Sequence, residues 1–127
     1  MTHIKEATRY IENARDILKQ KANKQDGFYQ DKKYVKLAGH AAYTGVLMAL
    51  DQTLEEMGVK KKGRKSVEWY QRELASIDKR LLSRFLGVYD TLHLSLGYDG
   101  NPDAEVAQAG LENAEKIIRW AESKSAA

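Results

Sequence analysis

Cysteine is absent from this 127-residue chain, and proline occurs once. Without thiols there is no disulfide framework and no thiolate zinc site, and nothing asks for an oxidising compartment, so a cytoplasmic location is the expectation. The single proline, Pro102, leaves long stretches free to run as uninterrupted helix. No uncharged run approaches the roughly 20 residues that a bilayer span needs. Thr2 to Gln20 scatters charges where a secretory signal would carry an apolar core, so no membrane association is expected. Phosphate loops of the GxxxxGK[ST] type, GxGxxG turns, GxSxG elbows and HExxH pairs are missing as well, which removes the usual sequence support for nucleotide hydrolysis, dinucleotide binding, serine hydrolysis and zinc proteolysis. His3, His40 and His93 stand far apart with no paired spacing, so no metal and no cofactor is expected.

What is present has the length of one domain, residues 1–127, with a mass of 14.4 kDa and enough chain to bury a single core. The net charge is +3. Its distribution says more than its total: Lys60, Lys61, Lys62, Arg64 and Lys65 sit within six positions, and removing these five cations from +3 leaves −2 for the rest. A patch of this kind attracts phosphate or an acidic partner. It also reads as a solvated loop between helices, since no base-stacking aromatic lies inside it; Trp69 and Tyr70 follow closely.

Nearly everything else repeats at helical spacing. Ile4, Ala7, Ile11, Ala14, Leu18 and Ala22 recur every three or four residues, with charged residues opposite, which predicts an amphipathic first helix. Gly27 breaks that pattern. Asp31 is a suitable N-cap for a second helix running from about 32 to 57 and ending at Gly58. Ser66 caps a short third helix to about Ala75, and a fourth begins near Ser76 or Asp78 with Ile77, Leu81, Phe85, Val88, Leu92 and Leu96 as its apolar stripe. A kink or break near residue 76 separates the two, because the capping residues there would otherwise be wasted. Asn101 as cap and Pro102 as first helical residue open a fifth helix carrying Val106, Gly110, Ala114, Ile117, Ile118 and Ala121. No strand pattern of period two is evident. The expected fold is all-α, an up-and-down bundle of four or five helices.

The second helix carries an uncharged run, LAGHAAYTGVLMAL, from Leu37 to Leu50. Ala38, Ala42, Gly45, Val46 and Ala49 form a small-residue face that lets a neighbouring helix approach closely. Leu37, His40, Leu47 and Met48 lie opposite. A helix apolar on both sides needs cover on both sides, so either it is central in one chain or these four residues meet a second copy; a homodimer through them is the expectation.

The stretch YDTLHLSLGYDG, residues 89–100, brings two Tyr, two Asp and a His to the end of the fourth helix. At 100° per residue His93 lies about 40° from Tyr89 and about 60° from Asp90, so the three share a rim. A carboxylate beside an imidazole can orient it for acid–base work. The same spacing arises where a histidine merely closes a core edge by hydrogen bonding. Tyr89, His93, Tyr98, Asp99 and Asn101 are the predicted rim of a binding cleft.

The order of helices, together with YVKLAGHAAYTGVLMAL and YDTLHLSLGYDG, resembles the HEPN superfamily (higher eukaryotes and prokaryotes nucleotide-binding domain), and in particular a bacterial group within that fold. The resemblance implies a homodimer. It also implies, in catalytic members, a metal-independent ribonuclease whose arginine precedes a histidine by four to six intervening residues. His93 matches that histidine. The positions for the arginine hold Leu86, Gly87 and Val88, which cannot stabilise a developing phosphorane charge as a guanidinium does. Arg84 lies further upstream, turned about 180° from His93 on a straight α-helix. The expectation is therefore a non-catalytic binding or interaction module for a protein partner, nucleotide or RNA. The alternative is a ribonuclease or toxin–antitoxin component with a degenerate site of His93, Asp90 and a basic residue from elsewhere, either Arg84 or one of the 60–65 loop.

Overall fold

In a computed structural model that describes residues 2–125, and the side chains of residues 4–124, the chain is an all-α bundle. Met1, Ala126 and Ala127 lie outside the described residues, as does the side chain of His3. The elements are α1 (Thr2–Gln20), β1 (Lys24–Gln25), β2 (Phe28–Tyr29), α2 (Lys32–Glu56), α3 (Val67–Ala75), α4 (Lys79–Val88), a π-helix (Tyr89–Tyr98) and α5 (Ala104–Ser125).

The helix starts are written in side chains. Asp31 accepts the backbone N–H of Lys33, Ser66 that of Trp69, and Asp78 those of Arg80 and Leu81, each satisfying a first-turn donor with no partner inside the helix. The break between α3 and α4 falls at Ser76 to Asp78. Gly58, with φ of +85°, follows the end of α2 in the left-handed conformation that a side chain would disfavour.

α2 is the central element, packed against α1, α5 and the π-helix. The α1 stripe of Ile4, Ala7, Ile11, Ala14 and Leu18 is buried against it. The small-residue face of α2 is buried throughout, and a Cβ on Gly45 would meet the carbonyl oxygen of Ala7 at 2.9 Å, so α1 approaches to backbone distance there. Phe85, Leu92 and Leu96 are fully buried on the α4 and π-helix side, each stabilising the fold by about 1.5–3 kcal/mol through burial.

Three expectations need correction. A two-stranded ribbon exists where no sheet was expected: Lys24 pairs with Tyr29 and Gln25 with Phe28, closed by Asp26 (φ +52°) and Gly27 (φ +83°). The Asp-Gly dipeptide is the signal for such a turn. Asn101 and Pro102 do not begin α5. Asn101 accepts the N–H of Asp103, Asp103 accepts that of Glu105, and the helix starts at Ala104. The ribbon holds this segment in an extended form, through Tyr29 N–H to Pro102 O at 2.8 Å and Ala104 N–H to Gly27 O at 3.0 Å.

The third correction is the widened end of the fourth helix. From Tyr89 to Tyr98 the backbone runs as a π-helix, a rare form with hydrogen bonds spanning five residues that is often found at functional sites. Glycines make room for it. A Cβ on Gly39 of α2 would stand 2.6 Å from Gly97 N, and one on Gly110 of α5 2.7 Å from Thr91 Oγ1. Asn101 donates its amide to Ser95 Oγ at 2.8 Å and closes the final turn.

Candidate functional site

The π-helix determines which side chains meet. Residues five apart stack along it rather than diverging, so Tyr89, His93 and Tyr98, spaced four and five apart, present one row. On an α-helix Tyr98 would have turned about 140° from His93; here the two rings stand edge to face with centroids 6.4 Å apart.

His93 is the hub of that row. Its ring stacks on Tyr89 at 5.2 Å and lies 4.7 Å from Tyr43 of α2, with His40 at 6.2 Å. Its Nδ1 is buried with no hydrogen-bond partner. Burial first, and the neighbouring His40 charge second, hold the His93 imidazole below the usual value of 6.5, so the ring is neutral at physiological pH. Burial, reinforced by Tyr89, pushes the Tyr43 hydroxyl up to about 12, leaving it protonated. His93 and Tyr43 are thus flat, uncharged rings, and the Nδ1 of His93 is a buried, unsatisfied polar nitrogen.

Opposite this cluster stands part of the basic loop. Tyr43, Leu47, Tyr70 and His93 line an open depression of about 450 Å³ together with Arg64, Lys65 and Glu68. The loop is anchored from below: the Tyr70 hydroxyl donates to Asp51 at 2.5 Å, and Lys65 pairs with the same carboxylate at 3.3 Å. Burial and Asp51 together raise the pKa of Tyr70. Lys60, Lys61 and Lys62 line an adjoining recess of about 360 Å³ with Trp69, and Lys65 borders both spaces.

The other candidate residues are distributed unevenly. Asp90 and Asp99 are exposed. Asp90 does not hydrogen-bond to Nδ1 of His93, so it does not orient that nitrogen. Arg84 is half-buried on α4 and is not among the residues lining the depression. Asn101 serves the turn before α5 rather than a rim. On α2, Leu37 and His40 are exposed while Leu47 and Met48 are half-buried, and Leu47 lines the depression. Tyr43 is the site residue that sequence reasoning missed; it follows His40 by three, and this i, i+3 spacing was the available signal. Among the described residues no group of three or more His, Asp or Glu side chains is placed to hold a metal ion, and no helix is long and apolar enough to cross a membrane.

A five-helix bundle with a histidine–tyrosine cluster on a π-helix defines the class. The chain belongs to the family described as domain of unknown function DUF5618, whose model matches residues 2–123. It is similar to a solved structure, a protein of unknown function from Dyadobacter fermentans. That protein is 54% identical, with 97% of this chain and 96% of that chain covered and a TM-score of 0.91. No curated protein matches the chain.

Proposed function

We propose that this protein is a HEPN-like, non-catalytic binding module of the bacterial cytoplasm, acting as a homodimer, that holds an anionic aromatic ligand of the nucleotide or RNA class at the His93 cleft. The observation carrying this reading is the packing of a neutral imidazole beside both Tyr43 and Tyr89, with Arg64 and Lys65 lining the depression that His93 and Tyr43 border. Aromatic faces stack on bases without demanding a sequence. Two cations that line the same depression attract the phosphate.

Cleavage would need more. An in-line attack on phosphate requires a group to take or give the proton and a cation fixed on the developing charge. His93 has neither Asp90 on its Nδ1 nor Arg84 in its depression, and the HEPN arginine positions hold Leu86, Gly87 and Val88. The degenerate ribonuclease built from His93, Asp90 and Arg84 is therefore the weaker reading.

The test incubates the pure protein with fluorescently labelled single-stranded RNA, without added metal. Anisotropy follows binding and a denaturing gel follows the RNA. The expected result is saturable binding with the RNA intact, weakened in His93→Ala. Cleavage by the wild type that disappears in His93→Ala overturns the binding reading in favour of the ribonuclease, and loss in Arg84→Ala as well assigns the phosphate-facing role to that arginine.

A further inference from the structure

A second surface shares no residue with the His93 cleft. Between the last turns of α1, the ribbon and the first half of α5 runs a groove of about 850 Å³. Its floor is apolar: Leu18, Ala107 and Leu111 line it and are themselves buried. Arg15 and Lys19, one helical turn apart, and Lys24 of β1 supply its charge, and no carboxylate lines it. Arg15 is already engaged with Glu115 at 2.8 Å. Lys19 and Lys24 have no ion-pair partner among the described residues, so two uncompensated positive charges flank an apolar strip.

We infer that this groove docks an extended acidic peptide segment of a partner protein, with one aliphatic or aromatic side chain seated over Leu18 and Leu111 and carboxylates facing Lys19 and Lys24. The charge pattern selects an anionic occupant, because two unpaired lysines repel a basic segment and gain a partner from an acidic one. The groove is open along its length, whereas sites for small molecules enclose most of the ligand surface; a small carboxylate would remain largely wet here.

The experiment is an NMR titration of the isotopically labelled full chain with a short synthetic peptide rich in Asp and Glu and carrying one Phe. A peptide with Lys at every acidic position is the control. The inference expects saturable shifts at Lys24, Ala104, Gln108 and their neighbours with the acidic peptide only. It expects a loss of about tenfold in affinity in Lys19→Glu/Lys24→Glu, and unchanged affinity in His93→Ala. Both lysines are exposed, so the double variant keeps the fold. The wild type gives an independent measure, since its affinity must fall as salt rises. Absence of saturable shifts, shifts centred on Arg64 and Lys65, equal binding by the double variant, or displacement of the peptide by single-stranded RNA would each overturn it. Because His93→Ala separates the two surfaces, failure here leaves the RNA reading to its own test.

Discussion

A β-carbon on Gly39 would stand 2.6 Å from the backbone nitrogen of Gly97 and equally close to the carbonyl oxygen of Leu92, so α2 and the π-helix meet backbone to backbone. That approach brings His93 to Tyr43. Gly39→Ala must push the helices apart, because the opposed atoms are backbone and cannot rotate away. The expected cost is about 1–3 kcal/mol, toward the upper end. Gly97→Ala meets Leu92 O at 2.9 Å but otherwise the His40 ring, which can shift, so it should cost less. Urea unfolding of the two variants checks the order, and equal stability of Gly39→Ala and wild type would contradict the close approach.

The neutral state of His93 makes stability depend on pH. Its folded pKa is depressed, by burial first and His40 second, so the unfolded chain binds the proton more readily and stability rises with pH across the window. The contribution is fully present above the ordinary value of 6.5 and is lost as pH falls through the depressed folded value. His40, Tyr43, Tyr89 and Tyr98 surround the ring, and Arg64, Lys65 and Glu68 share its depression. Thermal unfolding should therefore shift downward on mild acidification in the wild type and less in His93→Gln. An identical pH profile in the variant would remove His93 as the cause.

The Tyr70–Asp51 hydrogen bond ties α3 to α2 beneath the basic loop, and Lys65 shares the same carboxylate. Asp51→Ala leaves a buried hydroxyl without its acceptor and should cost about 1–3 kcal/mol, whereas Tyr70→Phe removes the donor and leaves a part-exposed carboxylate that Lys65 still pairs, so it should cost about 1 kcal/mol. A double-mutant cycle is expected to give a coupling above about 0.5 kcal/mol; additive effects would mean that the bond contributes nothing of its own.

These three relationships differ in how far the sequence foretells them. The caps at Asp31, Ser66 and Asp78 and the buried stripe from Leu81 to Leu96 follow from local rules, because a first-turn N–H needs a nearby acceptor and an apolar face needs cover. The π-helix does not follow. Its register arises from tertiary packing, from Gly39 and Gly110 on neighbouring helices rather than from residues 89–98 alone. A rotation of 100° per residue does not by itself bring Tyr98 to His93, and Tyr43 passed as one more residue of an apolar run. The ribbon was legible in Asp26-Gly27, although two residues per strand are too few to show an alternating pattern.

The proposed homodimer has a defined surface. Leu37 is 49% and Tyr98 69% exposed, and both adjoin His40, which is one turn from Leu37 and against Gly97. Exposed apolar groups clustered around a half-covered central helix favour association with a second copy. Light scattering is expected to give about twice 14.4 kDa for the wild type and the single-chain mass for Leu37→Asp. A wild-type mass near 14.4 kDa at high concentration would reject the dimer.

Binding at the His93 cleft should carry a measurable electrostatic signature. Each phosphate neutralised on a single strand releases counterions and contributes about −0.7 to the slope of log K against log salt. Arg64 and Lys65 border the depression directly, whereas Lys60, Lys61 and Lys62 line the recess beside it. For a single nucleotide only the first pair counts, and Arg64→Ala should flatten the slope while Lys61→Ala leaves it unchanged. For a longer RNA that crosses Lys65 into the second recess, both substitutions should flatten it. Tyr43→Ala tests the other half of the site. It removes a stacking face without touching charge, so affinity should fall by about 1–3 kcal/mol with the salt slope unchanged. A slope that changes in Tyr43→Ala, or one that ignores Arg64→Ala, would place the ligand somewhere other than between the aromatic cluster and the basic loop.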